Sequence, residues 1–126
     1  MIQLKGICKS YPRPDEGPLE VLRNIEININ EGDYIAIVGP SGSGKSTLMN
    51  ILGLLDHADS GEYLMDGENV SGLSSAKLAN LRNQKIGFVF QQFHLLPRTT
   101  AIENVEIPLV YSNADNPEQR AIDALK

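Results

Sequence analysis

Gly39-Pro-Ser-Gly-Ser-Gly-Lys-Ser46 constrains this chain more than any other stretch. It fits the pattern G-x-x-x-x-G-K-[ST] at every position. An unbroken apolar run, Tyr34 to Val38, precedes it, as a strand covered on both faces would. After it, Lys45 to Leu55 carries Leu48, Ile51, Leu52 and Leu55 at helical spacing. A strand, a glycine turn and an amphipathic helix in that order build a cradle for phosphate. Gly39, Gly42 and Gly44 let successive N–H groups turn toward one centre as an anion nest. The helix opening near Gly44 aims its positive end at the same point. Lys45 reaches the β- and γ-phosphates as a point charge. The Ser46 hydroxyl is a hard oxygen ligand for Mg²⁺, and Thr47 adds a hydroxyl toward the α-phosphate. Pro40, Ser41 and Ser43 complete the loop.

The rest of the chain reads as strands first and helices later. Ile2, Leu4 and Ile7 around Gly6 predict a strand with a bulge. Pro12 to Pro18 reads as an exposed loop. Val21 to Ile29 alternates apolar and polar residues, the mark of a half-buried strand, and Glu31-Gly32-Asp33 is a turn. Glu62 to Met65 and Glu68 to Val70 flank Asp66-Gly67 and form a hairpin. Ser75 caps a short helix with Leu78 and Leu81 on one face. Ile86 to Phe90 is a second all-apolar strand. Gln91 to Pro108 is mostly irregular, with a turn of helix near Ile102 to Val105. Asn116-Pro117-Glu118-Gln119 opens a last helix as a capping box, with Ala121, Ile122 and Leu125 as its apolar face.

The chain has 126 residues, enough for one domain at most. Its formal net charge of −5 argues against a nucleic-acid partner. No apolar run approaches the ~20 residues of a membrane span, so no direct membrane insertion is expected. The N-terminus lacks the basic-then-apolar layout of a leader. The one cysteine, Cys8, fits a reducing cytoplasm and reads as a small buried hydrophobe.

The motifs now form an ordered set. A β-region ends in Lys9-Ser10-Tyr11, the glycine loop follows, and Ile86-Gly-Phe-Val-Phe-Gln91 comes third. This set resembles the ATP-binding subunit of an ABC transporter. Phe93-His-Leu-Leu-Pro97 and Glu103-Asn-Val-Glu-Ile-Pro108 are similar to the branch that holds lipoprotein-release and macrolide-export ATPases. The resemblance implies an α/β fold: a P-loop NTPase core of parallel strands and helices, with an N-terminal antiparallel β-subdomain. Residues 1–32 and 61–72 would be mostly that subdomain, 33–60 and 73–91 the core, and 92–126 the Q-loop and the start of a helical subdomain. It implies ATP and Mg²⁺ as cofactors, with Lys45 and Gln91 as the catalytic pair. Tyr11 would stack on adenine, as a ring can on any base. The Gln91 amide oxygen would complete the Mg²⁺ shell beside Ser46 or orient the attacking water. Residues 92–97 would face a transmembrane permease subunit, with Phe93, Leu95 and Leu96 either a docking patch or core under a loop. The complete domain would be a homodimer, peripheral on the inner face of the cell membrane, that couples ATP hydrolysis to transport or extraction.

Four family elements are missing from these residues: a Leu-Ser-Gly-Gly-Gln-like signature, an apolar strand ending in Asp-Glu, an Asp loop and a switch histidine. The chain therefore reads as the first half of such a domain, inactive by itself. A truncated nucleotide-binding or decoy product is the alternative. A GTPase would carry Asn-Lys-x-Asp, which does not occur. A small kinase would place an arginine-rich lid after the second apolar strand, where only Arg98 and Arg120 stand.

Overall fold

The computed structural model describes every residue except Asn113. The chain forms two compact units, Met1–Leu78 and Ala79–Lys126.

The first unit is built on a four-stranded sheet of order β2-β1-β3-β4, antiparallel at every pairing. Its strands are β1 (Ile2–Tyr11), β2 (Leu19–Ile29), β3 (Ser60–Met65) and β4 (Glu68–Asn69). The bulge falls at Gly6, which has φ 62° and lies where the β1–β2 register shifts between Leu4 and Ile7. Asp66 and Gly67 both have positive φ, the turn that suits a right-twisted hairpin. Leu4, Ile7, Leu22, Tyr63, Met65 and Val70 from the sheet side are buried. Leu48 and Ile51 of helix α1 (Lys45–Leu52) are buried too.

Helix α1 is shorter than the periodicity predicts. It ends at Leu52, because Gly53 closes it with a bond to the Met49 carbonyl and Leu54 turns to φ 56°. Leu54 takes the buried place beyond the helix, and Leu55 is left exposed. Cys8 is half-buried rather than fully buried: its Sγ accepts the Asn24 amide at 3.3 Å.

The two all-apolar segments depart most from expectation. Tyr34–Val38 and Ile86–Phe90 have no ladder partner among the described residues, so neither is a strand. A parallel strand is held by bonds along its edges and by cover on its faces. Here Tyr34 is 99% and Val89 102% exposed.

Helix α2 (Ser75–Lys85) runs across the boundary of the two units. Its cap is Ser74, one residue earlier than predicted: Lys77 N–H donates to its hydroxyl and Leu78 N–H to its carbonyl. In the second unit α3 (Ala101–Tyr111) packs against α4 (Pro117–Ala124), and Ala121 between them is fully buried. Helix α3 is much longer than one turn. Thr100 and Glu103 form a reciprocal capping box, and the Asn104 side chain also donates to Thr99 and Thr100. That start sustains the helix through Pro108, whose carbonyl accepts from the Asn83 amide at 3.0 Å. The capping box predicted at Asn116 is absent. Asn116 is left-handed (φ 51°), which turns its side chain away from the helix amides, and Gln119 donates to Asp123 instead.

Candidate functional site

The glycine loop sits between the first apolar segment and α1. Two close approaches explain its glycines. A Cβ on Gly39 would lie 2.8 Å from the Ser43 hydroxyl oxygen. One on Gly44 would lie 3.0 Å from Leu22 Cδ2 and 3.1 Å from the Val21 carbonyl oxygen. Gly44 also has φ 88°, the left-handed region that glycine occupies without cost, and it leads into α1. The first bond across the start of that helix runs from the Leu48 amide to the Gly44 carbonyl at 2.9 Å. The amides of Lys45, Ser46 and Thr47 therefore precede the helical ladder and point out at its positive end.

Lys45 folds back over the loop. Its ammonium donates to the Gly39 carbonyl at 2.8 Å and to the Pro40 carbonyl at 2.6 Å. That places one full positive charge beside the N–H cradle. Ser41, Gly42, Gly44, Lys45, Ser46 and Thr47 line one groove of about 360 Å³, together with Val21 and Tyr11. Phosphate oxygens suit such a groove, since it gathers amide donors, an ammonium and hydroxyls. An exposed serine hydroxyl next to it is also the donor type that Mg²⁺ takes alongside phosphate oxygens.

Tyr11 is thus brought to the loop although 28 residues separate it from Gly39 in sequence. A polar cluster at the end of β1 holds it there. The Tyr11 hydroxyl donates to Asp56 Oδ2 at 2.9 Å, and the Lys9 ammonium lies 5.3 Å from its ring centroid. Lys9 is 9% exposed and donates to Asp56 Oδ1 at 3.0 Å and to the His57 carbonyl at 2.6 Å. Asp59 pairs with Lys9 at 3.5 Å and accepts the Ser10 amide at 2.6 Å. Burial works against the Lys9 ammonium, but the Asp56 bond and the charges of Asp56 and Asp59 hold its pKa above the usual lysine value. Burial likewise works against charge on Asp56, yet the bonds from Lys9, Tyr11 and the His57 amide bring its pKa below the usual carboxylate value.

Gln91 lies in the second unit, exposed, at the end of the second apolar segment. Phe93, Leu95 and Leu96 beyond it are exposed. His94 has φ 50° and sets its ring edge-on to Phe90. Lys9, Asp56 and Asp59 are the residues sequence reading missed. Lys9 stands 47 positions from Asp56, and no local pattern pairs it with either aspartate. The alternation around Lys9, which places Ile7 and Lys9 on one face, was the available signal.

A family profile described as ABC transporter matches residues 22–126. The chain is 54% identical over 121 residues to the pyoverdine export ATP-binding/permease protein PvdT of Pseudomonas syringae, covering 96% of this chain and 18% of that protein. It is 51% identical over 120 residues to the uncharacterized ABC transporter ATP-binding protein YknY of Bacillus subtilis, covering 95% of this chain and 52% of that one. It is 56% identical over 112 residues to the macrolide export ATP-binding/permease protein MacB of Pasteurella multocida, covering 89% and 17%. Among solved structures, a bacterial ABC transporter cassette in dimeric form superposes with a TM-score of 0.88 at 46% identity, covering 99% of this chain and 54% of that chain. A dimeric ATP-binding cassette with ADP and phosphate bound gives a TM-score of 0.86 at 42% identity, covering 99% and 56%. The chain thus spans about half the length of the cassettes, and less than a fifth of the fused export proteins.

Proposed function

The chain belongs to the ABC transporter family, and from that premise we propose that it binds Mg-ATP for an ATPase that powers export or extraction through a membrane permease. One observation carries the reading: Ser41, Gly42 and Gly44–Thr47 of the loop line a single groove with Tyr11. In this reading the amides at the start of α1 take the phosphate oxygens. Lys45 exchanges its loop carbonyls for the β- and γ-phosphates. Tyr11 packs on the base. Ser46 is a Mg²⁺ ligand from the loop. When bound, Mg²⁺ neutralises charge that builds on the phosphates during transfer.

Other parts of the reading rest on the family and on surface character. Residues 92–97 meet the permease, and the exposure of Phe93, Leu95 and Leu96 supports this. Residues 92–126 are the Q-loop and the start of a helical subdomain. No described helix is long and apolar enough to cross a membrane; in this reading a transmembrane permease holds the domain at the inner face of the cell membrane. Homodimerisation of the complete domain follows the dimeric cassettes that this chain resembles.

Calorimetry with ATP tests the site. Lys45→Ala is expected to weaken ATP about tenfold to a hundredfold, the scale of a lost charge-assisted contact. Equal affinity in both proteins removes the phosphate assignment. Phosphate release by these 126 residues is expected to match that of the Lys45→Ala protein. Binding groups are present, but the sequence holds no apolar-Asp-Glu carboxylate and no signature to act across the γ-phosphate. Lysine-dependent turnover near one per second contradicts this, and makes one of the chain's own carboxylates the base.

A further inference from the structure

We propose that Asp56 and Lys9 are positioning residues for the nucleobase: they hold the Tyr11 ring in place before nucleotide arrives. This rests on the reading of the groove as an ATP site with Tyr11 against the base. Stacking by itself needs only a ring, and the Tyr11 hydroxyl then has no task. Here that hydroxyl is committed to Asp56 at 2.9 Å. Asp56 is in turn fixed by Lys9 at 3.0 Å and by the His57 amide at 2.7 Å. Lys9 reaches from the same strand as Tyr11 to the segment that follows α1, and α1 is the helix whose other end carries the phosphate loop.

The cluster therefore ties the ring to the element that holds the phosphates. It sets the spacing between the base-binding and phosphate-binding ends of the groove. Lys9 also stands over the ring at 5.3 Å, close enough for a cation–π attraction that restrains the ring as well. A tyrosine ring free to change rotamer has to be ordered at each binding event, which costs affinity. A ring already tied by its hydroxyl does not. The cluster is a device for nucleotides that carry a base, and it is silent toward phosphate chains alone.

The experiment compares ATP with inorganic tripolyphosphate, by calorimetry on the intact chain in the presence of Mg²⁺. Tyr11→Phe removes only the hydroxyl, and Asp56→Asn removes the charge that accepts from it. Each is expected to weaken ATP about threefold to tenfold, the scale of one side chain ordered on binding. Each leaves tripolyphosphate within about twofold, and the double variant loses no more than the single ones because both act on one bond. Tyr11→Phe with unchanged ATP affinity overturns the proposal, and so does an equal loss of ATP and tripolyphosphate. Tyr11→Ala separates the two layers of the argument. If Tyr11→Ala weakens ATP while Tyr11→Phe does not, stacking stands and positioning fails. If Tyr11→Ala leaves ATP unchanged, the ring does not bind the base and both fail.

Discussion

Gly61 leaves no room for a side chain. A Cβ there would lie 2.6 Å from the Gly6 carbonyl oxygen, and the residue has φ 102°. Steric overlap and backbone strain act together, so Gly61→Ala is expected to cost about 2–4 kcal/mol in urea unfolding. Gly67 is the control: φ is 83°, but nothing lies within 4 Å of its Cβ, so Gly67→Ala costs only about 1 kcal/mol. Tyr63 makes a different kind of prediction. It is 3% exposed, its hydroxyl donates to the Leu52 carbonyl at 2.8 Å, and burial pushes its pKa up to about 12 from 10.0. A raised folded-state value means that stability is fully present below the unfolded pKa and is lost as pH rises through the folded one. Unfolding free energy should therefore fall between about pH 10 and 12, by at most ~3 kcal/mol from this residue. Lys9, raised for its own reasons, adds to the same slope. Tyr63→Phe is expected to flatten the alkaline limb without abolishing it, and an unchanged limb assigns the slope to other groups. At this scale the phosphate loop was legible because glycine, lysine and serine fall in one contiguous run. The Lys9–Asp56–Tyr11 cluster was not legible, because a charge pair between a strand end and a distant loop leaves no periodic trace.

Helix α3 shows which local signals outweigh others. Thr100-x-x-Glu103 is a capping box in the sequence itself, while Pro108 argues against a helix beyond it. The structure keeps both, with the box satisfied at 2.6 and 3.2 Å. Thr100→Ala is therefore expected to fray the start of α3 at a cost of about 1 kcal/mol, seen as faster amide exchange at residues 101–104. The bond from the Thr100 amide holds the Glu103 carboxyl below its ordinary pKa. Its contribution is thus present above the unfolded value and fades as pH falls into the acid range. Amide exchange unchanged in Thr100→Ala removes the cap from the account of α3. The four-residue signature at Asn116 marked the start of α4 correctly at Pro117, but its side-chain cap is absent where Asn116 takes a left-handed backbone angle. Side-chain lettering alone does not carry that angle. The β1–β2–β3 sheet was legible for the opposite reason: alternation, Gly6 and Asp66-Gly67 all agree on one register.

For these 126 residues as a whole, the exposed runs Tyr34–Val38 and Ile86–Phe90 are the surfaces expected to drive association. Both are uncharged, rich in β-branched and aromatic residues, and unpaired among the described residues. Such segments recruit other strands. Light scattering is expected to show concentration-dependent association, and Val89→Lys, at a fully exposed position, is expected to reduce it. Association that Val89→Lys leaves untouched points to another surface. The α/β class was legible because these runs look like interior strands. Their exposure follows from the resemblance, which sets strands not found in these residues between the two runs and so leaves their backbone and apolar faces uncovered. The order in which residues leave a ribosome gives these runs a further significance. Tyr34–Val38 emerges before Ser60–Met65, so the first adhesive run is in the open before β3 can complete its pairing with β1. At a synthesis rate of roughly 5–20 residues per second, that interval lasts seconds. During it the nascent chain offers a hydrophobic stretch of the kind that general chaperones hold.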